Sequence, residues 1–203
     1  TNNYIKQLLR EQHLGEGTMV VADYQTRGRG QMGNGWSSER GKNMLFSLLV
    51  YPEKVPVNEQ FIISRVASLA VKGILDRFTD DVRIKWPNDI YWKDKKIAGM
   101  LIENDVMGKH IVDSVIGIGI NVNQEHFPPD LPNPVSLRQI TGSEQDREYL
   151  LDAFIKEFFL LYKEFQEGKA KAIEDKYTRG LYRADGYHWY EDKNGRFQAM
   201  IRD

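Results

Sequence analysis

Cysteine is absent from the 203-residue chain, which excludes a disulfide framework, a thiolate metal cluster and a cysteine nucleophile. Long apolar runs are missing too: no stretch approaches the roughly 20 residues that a membrane-spanning helix needs. No secretory signal precedes the first helical pattern, although a leader can be cut away, so the expected setting is the cytoplasm, without membrane contact. Charge of one sign is also lacking, because 28 Lys and Arg face 29 Asp and Glu for a net charge of −1. There is no global basic field to hold nucleic acid or anionic lipid, and any polyanion must be gripped locally. The four histidines, His13, His110, His126 and His188, have no ligand spacing, and neither an HExxH nor a Walker A sequence occurs. Metalloprotease and P-loop chemistry are thereby excluded.

What remains is a globular composition, 41% hydrophobic with 11% aromatic, of a length suited to one main domain with a small appendage. Asn2 or Asn3 is placed to cap a short helix in which Ile5, Leu8 and Leu9 share a face, and residues 18–24 read as a buried strand. A loop with four glycines, 25–36 (QTRGRGQMGNGW), leads into an apolar strand at 43–51. Residues 57–78 carry apolar side chains at helical spacing. Strands are then expected at 82–85, 89–92, 97–103 and 111–122, and the short turns between them imply antiparallel neighbours. Four of the seven prolines lie between Phe127 and Pro134, marking an irregular connection that cannot be sheet interior. Amphipathic helices are expected at 146–167 and 170–178, with a boundary near Gly180. A hairpin around Asn194-Gly195 closes the sequence; it is marginal alone, and further chain is expected to follow it. Helices bracketing a mostly antiparallel, mixed sheet give an α+β class.

Three constellations carry chemistry. Gly28-Arg29-Gly30-Gln31-Met32-Gly33 satisfies G-x-G-x-x-G, but a strand follows it where a dinucleotide site needs a helix, and no HRD or DFG triplet supports a kinase. Backbone N–H groups bared by glycine, with the guanidinium groups of Arg27 and Arg29, suit a phosphate or carboxylate. The second is Lys85-Trp86-Pro87-Asn88-Asp89 followed by Lys96-Ile97-Ala98-Gly99-Met100-Leu101-Ile102-Glu103. Pro87 forces a turn that sets Asn88 and Asp89 at a strand mouth, where a carboxylate can hold Mg²⁺ and an amide can orient a phosphate. Strict alternation puts Lys96 with Ala98 and Met100, and Ile97 with Gly99 and Leu101. The third, Gly117-Ile118-Gly119-Ile120-Asn121-Val122-Asn123, places glycines inside a strand, as close approach by a ligand or another backbone would demand, or as a β-bulge would.

In this order the blocks resemble the biotin–protein ligase family, also called biotin–[acetyl-CoA-carboxylase] ligases. The family pattern has a Ser-Thr-Asn start, whose end Thr1-Asn2 matches, then a glycine and arginine loop closed by Trp, K-W-P-N-D, K-x-A-G-x-L-x-E and G-x-G-x-N-x-N. The resemblance implies a catalytic α+β domain over residues 1–180, like that of class II synthetases, and the start of a small SH3-like β-barrel over 181–203. It implies ATP and biotin as substrates with Mg²⁺, formation of biotinyl-5′-AMP, and transfer of biotin to a lysine of a biotin carboxyl carrier protein. A DNA-binding part found in some members lies outside this sequence, and an exposed sheet edge would suit a homodimer.

By the same resemblance Thr1, Asn2, Gln25, Gly28, Arg29, Gly30 and Gln31 contact biotin or the adenylate. Lys96 reaches the carboxylate and the α-phosphate, and Lys96 and Arg29 are the catalytic cations. Gly99, Gly117 and Gly119 form a low floor for biotin's fused rings, and Trp36 packs near adenine. Asn88, Asp89 and Asn121 order the triphosphate, and Asp89 holds Mg²⁺. Many members carry arginine where Gln31 and Asn34 stand here, and the missing charges weaken electrostatic holding of the adenylate. A lipoate–protein ligase of the same superfamily and a non-catalytic biotin or nucleotide sensor are the competing readings.

Overall fold

The computed structural model describes residues 1–53 and 55–201. Arg202 and Asp203, the end of the expected C-terminal unit, lie outside the described residues. In chain order the elements are α1 (Asn2–Glu11), β1 (Met19–Val21), β2 (Gly28–Arg29), β3 (Gly35–Trp36), β4 (Met44–Val50), α2 (Phe61–Leu75), β5 (Val82–Lys85), β6 (Asp89–Trp92), β7 (Lys95–Met107) and β8 (His110–Ile120). They continue with α3 (Leu137–Thr141), α4 (Arg147–Gln166), α5 (Ala170–Arg179), β9 (His188–Asp192) and β10 (Gly195–Ala199).

Six strands form one sheet in the order β1-β4-β8-β7-β6-β5, and every pairing in it is antiparallel. The sheet is therefore not mixed; parallel contacts are confined to isolated bridges, Ile84 with Leu181 and Lys96 with Pro134. Alternation sorts the side chains. Met44, Phe46, Leu48 and Val50 of β4 and Ile116, Ile118 and Ile120 of β8 face a core shared with α2, α4 and α5. The opposite face packs Leu49 and Val115 against Ile5 of α1, and there the residues are small: Gly117 and Gly119 of β8, Ser47 of β4 and Gly99 of β7. That face is left low over half its width, and the functional cleft occupies the low half.

Helix ends follow local chemistry. Asp146 caps α4 by accepting hydrogen bonds from the backbone N–H of Glu148 at 2.9 Å and Tyr149 at 3.1 Å. At α1 the N-cap is Thr1, without a side-chain cap bond, so neither Asn2 nor Asn3 caps it; Asn2 instead turns its amide into the sheet. Residues 57–59 form a separate 3₁₀ turn ahead of α2, shortening the expected helix at its start. The short helix α3 was not foreseen, although Ser136 and Gln139 form a capping box that the S-x-x-Q spacing carries.

Residues 127–134 are irregular, as four prolines require, yet they do touch the sheet. The Lys96 N–H donates to Asn133 O at 2.8 Å, and the Lys96 carbonyl accepts from Val135 N at 3.0 Å. The start of β7 is thus held on its flank by the proline-rich segment. After α5 the chain stays attached to β5, with Ile84 N donating to Gly180 O and Tyr182 N to Ile84 O, both at 2.8 Å. Beyond it β9 and β10 pair as a hairpin.

The helix layer is anchored by Phe154, wholly buried, whose ring meets Phe46 edge-on at 4.9 Å. Phe154→Ala is expected to destabilise the fold by about 3–5 kcal/mol, the range for deleting a buried aromatic ring, seen as a lower midpoint in urea unfolding.

Candidate active site

Two rows of side chains cross the open face of the sheet. One runs Leu45, Gly119, Gly99, Asp89 over four strands, and the next runs Ser47, Gly117, Leu101 over three. Over these rows a cleft of about 180 Å³ is enclosed by the start of α1, the glycine loop and the mouths of β6 and β7. It is lined by Thr1, Asn2, Gln25, Arg29, Gly30, Gln31, Trp36, Asn88, Asp89, Lys96, Gly99, Gly117 and Gly119, gathered from across the chain. Two expected residues are not in it. Gly28 lies behind the cleft, where a Cβ would collide with the Trp36 carbonyl. Asn121 is buried at 4% exposure and donates to Val135 O at 3.1 Å, so it braces the segment that flanks Lys96.

Lys96 reaches the cleft through a bulge. Tyr91 pairs with Lys96 and Ile90 with Ala98, which leaves Ile97 as an extra residue in β7. The bulge overturns strict alternation: Lys96 shares the face of Gly99, a Cβ on which would lie 3.2 Å from Lys96 Cε, while Ala98 and Met100 point into the core. Lys96 Nζ then meets Asp89 Oδ1 at 2.7 Å. Asp89 Oδ1 is buried and accepts no well-aligned hydrogen bond, so the ammonium alone balances it.

The glycine floor is filled by the chain's own side chains. Trp36 lies across Gly99 and Gly119, where a Cβ would stand 3.0 Å from Cζ3 and 2.5 Å from Cε2 respectively, and Asn2 lies on Gly117. The Trp36 Nε1 is buried without an acceptor. These glycines make room first for an indole and an amide of this chain.

Arg29 is not an unpaired cation. Its Nη2 donates to Asn3 Oδ1 at 2.6 Å and to Glu103 Oε2 at 3.0 Å. Glu103 Oε2 also accepts from Asn2 Nδ2 at 2.8 Å, and Lys6 Nζ stands 3.5 Å from Oε1. Burial pulls the Glu103 carboxyl upward, but the Asn2 amide and the Lys6 and Arg29 charges outweigh it and hold the group below its ordinary value. Asn2 is fixed further by Ser47 Oγ at 2.5 Å from its Oδ1, and Ser47 Oγ also lies 2.6 Å from Thr1 Oγ1, which accepts from Gln25 Nε2 at 3.2 Å. Glu103 and Ser47 were not among the residues singled out. Glu103 carries a signal, as the last position of K-x-A-G-x-L-x-E; Ser47, inside an apolar strand, carries none. Asn88 is spent on structure, its Nδ2 donating to Met100 O at 2.7 Å.

A larger cavity of about 1290 Å³ opens between β5, α5 and the β9–β10 hairpin. Three of its five cations are already set over aromatic rings, Arg65 over Phe61, Lys85 over Tyr91 and Arg183 over Tyr182, and apart from Lys85 and Trp86 it holds none of the motif residues. The 180 Å³ cleft is therefore the candidate site.

An antiparallel sheet with α2, α4 and α5 on one face, and on the other α1 beside a cleft of paired charges and hydrogen-bonding amides under a glycine loop, defines an α+β domain with a polar cleft. The chain belongs to the Biotin/lipoate A/B protein ligase family, which residues 1–121 match. It is 37% identical over 154 residues to the Bifunctional ligase/repressor BirA of Bacillus subtilis, a match covering 74% of this chain and 47% of that protein. It is 28% identical over 170 residues to the Biotin--[acetyl-CoA-carboxylase] ligase of Mycobacterium tuberculosis, covering 82% of this chain and 62% of that one. The chain thus spans about half to three fifths of the length of these relatives. Its fold superposes on the biotin protein ligase from Aquifex aeolicus in complex with biotin and ATP, with a TM-score of 0.80 and 30% identity, covering 96% of this chain and 81% of that one.

The depressed Glu103 carboxyl ties part of the stability to pH. Its contribution is fully present above the ordinary glutamate value of 4.5 and is lost as pH falls through the lower folded value. Thermal unfolding followed below pH 5 should show Glu103→Gln losing stability less steeply with acid than the unaltered chain.

Proposed function

We propose that this chain activates biotin with ATP and passes it to a lysine of a carrier protein. The observation that supports this most is the Lys96–Asp89 pair, half-buried at one end of a cleft whose other end carries the amides and hydroxyl of Asn2, Gln25 and Thr1, backed by Ser47. Such a row suits the ureido and carboxyl groups of biotin, and an ammonium beside a carboxylate suits the meeting of two anions.

In the first step a biotin carboxylate oxygen attacks the α-phosphorus of ATP, the bond to the β-phosphate oxygen breaks, and pyrophosphate departs with the electron pair. Both reactants are negative, so the site must supply charge and alignment more than acid or base groups. Lys96 does this by exchanging its pairing with Asp89 for the carboxylate and the α-phosphate. Asp89 fits Mg²⁺, since its Oδ1 has only Lys96 as a partner. Among the described residues no group of three or more His, Cys, Asp or Glu is assembled for a metal. One carboxylate completed by phosphate oxygens is a common Mg²⁺ arrangement, and the ion would neutralise phosphate charge there. The glycine loop, with Trp36 at its end, covers the mixed anhydride and excludes water. In the second step the neutral amine of the carrier lysine attacks the acyl carbon and AMP leaves. We read the acceptor as the carrier subunit of acetyl-CoA carboxylase, the setting as cytoplasmic, and residues 181–203 as the opening of a second β unit. No helix among the described residues is long and apolar enough to cross a membrane.

Pyrophosphate release from MgATP, measured with biotin, with lipoate and without acid, tests this, followed by mass spectrometry of an offered carrier domain. Biotin-dependent release with one biotin added to the carrier lysine is expected. Faster release with lipoate would reassign the acid, and saturable biotin binding without release would make the chain a sensor. Lys96→Ala should slow adenylation roughly 100-fold or more, as when a preorganised donor is removed; a near-normal rate rejects its role.

A further inference from the structure

We propose that Arg27 holds the departing pyrophosphate, a part that neither the family motif nor the pairing of Arg29 assigns to it. The inference deepens the ligase reading and rests on it. Three basic side chains line the cleft, Arg27, Arg29 and Lys96, and two are already matched to carboxylates. Arg29 Nη2 is 3.0 Å from Glu103 Oε2 and Lys96 Nζ is 2.7 Å from Asp89 Oδ1. Arg27 makes no ion pair and no side-chain hydrogen bond among the described residues. It sits exposed in the turn that enters β2, at the cleft's edge. Among the described side chains of the cleft, Arg27 is therefore the cation without a carboxylate partner.

The position of that charge fits one part of the substrate. Lys96 is half-buried beside Asp89 and the glycine floor, where on the ligase reading the carboxylate and the α-phosphate meet. Arg29 is tethered to β7 through Glu103 and to α1 through Asn3, so its guanidinium fixes the loop on the sheet. What is left for an exposed guanidinium at the rim is the end of the triphosphate that is released outward. A planar fork of N–H donors matches phosphate oxygens there, and a rim position lets it draw in MgATP and let go of pyrophosphate. Because Arg27 is solvated, its contribution should be modest and screened by salt.

The test uses the whole chain and two readouts. Binding of inorganic pyrophosphate and of biotin is measured by titration calorimetry for the unaltered chain, Arg27→Ala, Arg27→Lys and Arg29→Ala, and steady-state adenylation is measured alongside. Arg27→Ala should weaken pyrophosphate binding and raise KM for MgATP about tenfold, the scale of one charge-assisted hydrogen bond. Biotin affinity and the unfolding midpoint should stay unchanged, Arg27→Lys should restore part of the loss, and the rise of KM with salt should flatten. Unaltered pyrophosphate binding in Arg27→Ala overturns the proposal, as does a loss seen in Arg29→Ala alone or no measurable binding by the unaltered chain. Loss of pyrophosphate binding in Arg27→Ala by a chain that shows no biotin-dependent turnover would uphold Arg27 as the phosphate holder while the ligase reading fell.

Discussion

The pairing of β7 with β8 in the middle of the sheet governs both faces of this domain. Its register runs from Ala98 opposite Ile120 to Met107 opposite His110, and within it Gly99 falls opposite Gly119 and Leu101 opposite Gly117. A slip of one residue would bring Ile118 and Ile120 up into the cleft and drop the glycines into the core. Burial of the isoleucines against α2 and α4 therefore fixes, from below, where the floor of the cleft is low. Packing and site are two sides of one register.

Upon that floor the cleft is arranged by charge exchange. Both expected catalytic cations are engaged with carboxylates of the chain itself, Lys96 with Asp89 and Arg29 with Glu103. The two pairs are not equivalent. Asp89 Oδ1 has no other partner among the described residues, so under the proposed function this is the pair that a more negative ligand would open. Glu103 is held by Asn2, Lys6 and Arg29 together, and its pairing joins α1, the glycine loop and β7. One pair is built to be exchanged and the other to stay.

Much of this was legible in the sequence, and the reasons for the rest are physical. Strands and long helices could be read because apolar runs bounded by turn residues and the 3.6-residue period report burial, as in β4 and α4. The residues of the cleft could be listed because glycines, the Asn88-Asp89 turn and Lys96 sit in recognisable blocks. What those residues touch could not. The Asn2 contact with Leu101 spans 99 positions, and no local pattern distinguishes a capping asparagine from one that turns into the sheet. The pairing of Arg29 could not be read because its partner, Glu103, is 74 positions away. Asn121 stood in a motif yet braces Val135, because the path of the proline-rich segment is set by tertiary contacts.

The extra residue at Ile97 works as a phase shift in a two-beat pattern. Upstream of it the side chains keep one beat, and downstream they keep the other, so Lys96 can share a face with Gly99 three positions on. The position of Lys96 over the cleft therefore depends on how β7 is paired as well as on which residue stands there. Paired regularly, without the bulge, residues three apart would fall on opposite faces and take the ammonium away from the glycine floor, whereas loss of the extra residue would leave Lys96 and Gly99 two apart and still on one face. Pairing here, as much as identity, shapes the cleft.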